Sequence, residues 1–100
     1  MTDFIRTLHE WVEKRGAEGL HNPWLVFKES DASRPKKAAW VEFEGPDVLG
    51  QVIVWESGEC EVDLGSGSEA SRTLIRSVDL STNADLDELL TEITDFCAQY

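Results

Sequence analysis

Apolar residues recur along the first fifteen positions at three- and four-residue spacings. Phe4, Ile5, Leu8, Trp11 and Val12 make one stripe, which predicts an amphipathic helix. Thr2 or Asp3 can cap its start, and Gly16 and Gly19 stand where it should stop. The same period returns near the other end. There Leu86, Leu89, Leu90, Ile93, Phe96 and Cys97 form a second stripe, with Tyr100 at its end. Ser81, Thr82 and Asn83 are candidate caps, and Asp85, Asp87 and Glu88 suit the positive end of the helix dipole. Between the helices the period changes to two. Residues 24–28 are a short apolar run, and residues 38–44 alternate. Ala39, Val41 and Phe43 share one face there, and Trp40, Glu42 and Glu44 share the other. Residues 51–56 and 59–64 flank Ser57-Gly58, a two-residue connection of the tight-hairpin kind. Residues 72–80 read as a fifth strand, with Arg76 interrupting the apolar face, and residues 29–37 and 65–71 are turn-rich loops. The expected fold is α+β: an antiparallel sheet of about five strands with both helices packed on one face. A chain of 100 residues with no linker is expected to form one domain over residues 1–100.

A two-residue turn at Ser57-Gly58 sets the expected register. Trp55 then faces Cys60 and Ile53 faces Val62 on the core side. On the other side Glu56 faces Glu59, Val54 faces Glu61 and Val52 faces Asp63. Like charges directly opposite each other destabilise a sheet, and folding gains nothing from them. Two readings follow. The face is kept acidic for solubility and to blunt edge pairing, or it docks a basic partner.

Composition narrows the choice. Acidic residues number 20 against 9 basic ones, a net charge of −11. Phosphate and anionic lipid need Lys and Arg, so direct nucleic-acid and membrane binding are excluded. With 41% hydrophobic residues, four Trp and four Phe, the chain is too apolar for a disordered acidic tail. No apolar run is long enough for a membrane span, and no basic start followed by an apolar run marks a signal peptide. A cytoplasmic location is therefore expected. Cys60 and Cys97 sit inside apolar patterns and are expected as core side chains with free thiols. The charge is uneven: residues 42–71 hold eight acids and no base.

The catalytic inventory is thin. His9 and His21 are not at metal-ligand spacing, and no Cys or Ser sits in a nucleophile-like turn, so neither catalytic nor metal residues nor a cofactor are assigned. Asp79, Ser81, Asn83, Asp85 and Asp87 alternate like a calcium loop. Ala84 and Leu90 stand where that loop needs glycine and glutamate, so the run is better read as a helix cap. Arg34, Lys36 and Lys37 make a small basic cluster in a loop, too few for a nucleic-acid site. Trp11, Trp24 and Trp55 are expected in the core. Trp40 shares its face with acids and is the candidate exposed anchor. The candidate partner-binding surface is accordingly Trp40, Glu42, Glu44, Glu56, Glu59, Glu61 and Asp63. A second acidic surface lies on the last helix at Asp85, Asp87, Glu88, Glu92 and Asp95.

The stretch GQVIVWESGECEVDL, residues 50–64, resembles the central hairpin of the TriTu family of bacterial immunity proteins, and the order of elements is similar over almost the whole chain. The motif residues are Trp55, Glu56, Ser57 and Gly58. The resemblance implies a protein that neutralises a polymorphic toxin domain, an RNA-cleaving nuclease acting on transfer RNA. It also implies elongation factor Tu as a third component of the assembly. A toxin that grips RNA presents Lys and Arg, which an acidic face complements. The partner is therefore expected to be a basic toxin C-terminal domain, with the chain itself a monomer or weak dimer. The alternatives are a small acidic secretion chaperone, a DNA mimic and a small enzyme.

Overall fold

The computed structural model describes residues 3–17, 24–31, 33, 35–45, 48–66 and 71–98. Helix α1 (Phe4–Ala17) precedes strands β1 (Trp24–Glu29), β2 (Ala38–Glu44), β3 (Val48–Trp55), β4 (Glu59–Ser66) and β5 (Thr73–Asp79), and helix α2 (Asn83–Ala98) follows them. The strands form one antiparallel sheet in the order β1-β2-β3-β4-β5, the α+β meander expected. Thr2, Gly19, His21, Arg34 and Tyr100, and the side chain of Trp24, lie outside what is described.

Local chemistry explains where the helices begin. Asp3 caps α1 by accepting the backbone N–H of Arg6 at 3.0 Å. At α2, Thr82 Oγ1 accepts the N–H of Asp85 at 3.2 Å, and Asp85 Oδ2 accepts those of Thr82 and Ser81 at 3.0 and 2.9 Å. This reciprocal pair is a capping box, which is what the alternating run at 79–87 builds. The two backbone donors, Ser81 first, hold the Asp85 carboxyl below its usual range. A carboxylate with a depressed folded pKa stabilises above its unfolded value, about 3.9, and loses that contribution as pH falls through the folded value. Asp85→Ala is therefore expected to lower the melting temperature by several degrees at pH 7. Melts at pH 7 and pH 3 should show the difference from the parent narrowing in acid. An equal difference at both would show that the charge plays no part.

One core lies between the helices and one face of the sheet. Leu86, Leu89, Leu90, Ile93, Phe96 and Cys97 of α2 are all buried, as are Phe4 and Leu8 of α1. Trp11 packs partly buried against this core and tilts on Phe43 at 6.3 Å. The sheet contributes Ala39, Val41 and Phe43 from β2, Val48, Val52 and Val54 from β3, Cys60, Val62 and Leu64 from β4, and Leu74 from β5. Cys60 and Cys97 are free thiols, pushed by burial up to about 12 and about 11, which leaves them inert at neutral pH.

The hairpin register differs from the expected one by a single residue. Val54 faces Cys60, Ile53 faces Glu61, Val52 faces Val62 and Gln51 faces Asp63. The turn spans three residues, Glu56-Ser57-Gly58. Gly58 adopts a positive φ of 106° and donates its N–H to the Trp55 carbonyl at 2.9 Å. Because side chains alternate with a period of two, this shift turns all of β3 over. Val52 and Val54 belong to the core, while Ile53 and Trp55 stand on the opposite face. Glu56 lies exposed in the turn and does not face Glu59. A like-charge pair does exist one ladder over, where Glu59 faces Asp79.

Candidate functional site

With both helices on one side, the other face of the sheet has no helix or strand over it among the described residues. Its side chains form rows across the strands. Lys28, Trp40, Ile53, Glu61 and Ser77 make one row. Val26, Glu42, Gln51, Asp63 and Ile75 make the next, and Glu44, Leu49, Gly65 and Thr73 follow. At the hairpin end Ala38 faces Trp55, and Glu59 faces Asp79. The result is an apolar strip, Trp40, Ile53 and Trp55 half-buried with Leu49 and Ile75 at 50% and 62% exposed, bordered by six carboxylates. Water covers large apolar side chains at a cost, so such a patch in an acidic surround suits a protein partner.

Two of these acids are already paired within the chain. Lys28 Nζ lies 2.7 Å from Glu42 Oε2, which is why the Lys28 pKa is raised and the Glu42 pKa lowered. The neighbouring Trp40 side chain contributes, after Lys28, to lowering the Glu42 pKa. Lys36 reaches from the β1–β2 loop to pair with Glu59 and holds that carboxyl low as well. Glu44, Glu61, Asp63 and Asp79 make no ion pair among the described residues, and three of these four stand on β4 and β5. The uncompensated charge therefore concentrates on β4 and β5.

Of the seven candidate residues, Trp40, Glu42, Glu44, Glu59, Glu61 and Asp63 are brought together on this face. Glu56 is not, because it sits in the turn. Sequence reasoning missed Ile53 and Trp55 as surface residues, and missed Lys28, Ile75 and Asp79 as their neighbours. The available signal was Gly58 in third place after Trp55, the position at which a three-residue hairpin turn needs positive φ. The basic loop cluster is accounted for in part, since Lys36 serves Glu59 and the Lys37 carbonyl accepts the Glu56 N–H at 2.9 Å. His9 stacks on Phe27 at 4.3 Å and pairs with Glu13 at 3.2 Å. Among the described residues no group of three His, Cys, Asp or Glu side chains is placed to hold a metal. No described helix is long and apolar enough to cross a membrane.

A two-layer α+β domain with one bare, acidic, apolar-centred sheet face has the surface of a protein-binding domain. The family model "Immunity protein TriTu" matches residues 6–96, and the chain belongs to that family. Comparison with curated proteins gave no match. The chain is thus an immunity protein, and its partner is a cognate toxin. The motif Trp55-Glu56-Ser57-Gly58 forms the β3–β4 turn of its fold.

Proposed function

We propose that the protein binds its cognate toxin through the bare sheet face and inhibits it stoichiometrically, without chemistry of its own. The observation that carries this is the gathering of Trp40, Ile53 and Trp55 with six carboxylates on one uncovered surface. The toxin is a basic C-terminal nuclease domain that cleaves transfer RNA, a reading supported by the family and by charge. An enzyme that grips RNA must present Lys and Arg, and an acidic face competes for them. The apolar residues supply most of the affinity, while the acids speed encounter and select the partner. The assembly forms in the cytoplasm, with elongation factor Tu as its third component.

The test uses the purified toxin domain encoded by the neighbouring gene and a transfer-RNA substrate. Cleavage is expected to fall linearly with added protein and to vanish at equimolar concentration. Cleavage that persists at a large excess of the protein would overturn the reading. Repeating the titration with and without elongation factor Tu separates inhibition from assembly.

A further inference from the structure

Strand β5 ends the sheet on one side, and no strand lies beyond it among the described residues. The phase of its ladder follows from two backbone bonds. Ser66 donates its N–H to the Arg72 carbonyl at 3.1 Å, and Leu80 donates to the Gly58 carbonyl at 2.7 Å. Residues in an antiparallel pair alternate between bonding their neighbour and turning away from it. With Arg72 and Leu80 turned toward β4, so are Leu74, Arg76 and Val78. The N–H and C=O groups of Thr73, Ile75, Ser77 and Asp79 therefore point outward, a row that would face an added strand, with the Ile75 carbonyl held by Arg76.

Space and charge flank that row on both sides. On the bare face stand Ile75, the most exposed large apolar side chain described, and the acids Asp63 and Asp79. On the helix side, two adjoining depressions of about 610 and 330 Å³ run along the seam between β5 and α2, and both are lined by Glu88 and Glu92. The opposite edge strand differs, because α1 covers the helix side of β1, with His9 stacked on Phe27. The seam already holds basic groups of the chain itself, Arg72 in the larger depression and Arg76 in the smaller. Arg76 Nη2 lies 2.8 Å from Glu92 Oε1, and Nη1 donates to the outward carbonyl of Ile75 at 2.9 Å.

We propose that the β5 edge is a second docking element, which takes an extended basic segment of the toxin as a sixth strand. Alternate side chains of that strand point to the bare face and to the seam, and acids meet them on both sides. An apolar residue packs on Ile75, and the added strand continues the sheet face already assigned to the toxin. A second copy of this chain is a poor occupant, because each copy carries a net charge of −11 and acids flank both edges. The identity of the partner rests on the proposed function; the edge geometry does not.

Amide hydrogen exchange on the parent protein, alone and saturated with a catalytically inactivated form of the neighbouring-gene toxin domain, tests the proposal without any variant. The outward amides of Ile75 and Ser77 are expected to exchange fast in the free protein and about 100-fold more slowly in the complex. Ser77→Pro removes only an outward N–H, which an edge strand tolerates. It should keep the melting temperature and weaken toxin binding about tenfold. A 1:1 complex in which both amides exchange at the free rate would overturn the edge and leave the sheet-face reading standing. Protection that appears in the protein alone as its concentration rises would assign the edge to a second copy and overturn it too. No complex with the toxin would defeat both readings.

Discussion

Replacing Glu61 and Asp63 together by lysine is expected to weaken toxin binding about 100-fold at low salt, with little change in melting temperature. The two positions differ from Glu42 and Glu59. Glu42 and Glu59 carry their own counter-ions, Lys28 and Lys36, so reversing them would disturb internal pairs as well as the partner. Glu61 and Asp63 have none among the described residues, are exposed, and stand next to Ile53 and Ile75 in the two central rows. Their reversal changes the field where it is uncompensated and leaves the core on the other face untouched. Most of the loss should appear in the association rate, and the salt dependence of affinity should flatten. Glu10→Lys with Glu13→Lys makes the same change in net charge on α1, away from this face. That pair should bind the toxin within a few-fold of the parent. Equal losses from both double variants would mean that total charge, and not the face, governs binding.

The largest stability effect is expected from Gly50→Ala. Gly50 lies inside β3 with φ at +137°, a region that side-chain-bearing residues rarely enter. A Cβ there would stand 1.9 Å from the backbone oxygen of Asp63 on β4, so the strands would have to separate. Strain and lost pairing together should cost about 3 kcal/mol, which lowers the melting temperature by roughly 12–24 °C for a domain of this size. Gly65→Ala is the matched control in the same sheet. Nothing lies within 4 Å of its added Cβ, and its change should stay within about 1 kcal/mol. Thermal melts monitored by circular dichroism decide this, and a Gly50→Ala variant as stable as Gly65→Ala would show that the close strand approach is not required.

The contrast between these residues and the helices explains what the sequence made legible. All six apolar residues of the α2 stripe are buried, because a helix encodes its own face through local spacing. The alternation in β2 and β4 was equally legible, and it placed Trp40, Glu42, Glu44, Glu59, Glu61 and Asp63 correctly on one side. Strand β3 was not legible. Val52, Ile53, Val54 and Trp55 are apolar without interruption, so only the turn decides which pair is buried. Gly58 takes a left-handed conformation and lengthens the turn by one residue, which puts the valines inside and Ile53 and Trp55 outside. Arg76 shows a different limit. It sits on the helix side of the sheet, as Leu74 and Val78 do, and escapes burial by extending into the seam to Glu92. That partner lies sixteen positions along on another element, beyond any local pattern.

A toxin seated on the bare face of the sheet shields the acids there, and carboxylate footprinting of the complex reads that face directly. The protein is labelled at its exposed acids, alone and with the inactivated toxin domain, and each site is quantified by mass spectrometry. Glu44, Glu61, Asp63 and Asp79 are expected to lose labelling in the complex, while Glu10 and Glu13 on α1 keep theirs. Loss at Glu10 and Glu13 with full labelling retained at Glu61 and Asp63 would place the toxin on the helical side and contradict the account.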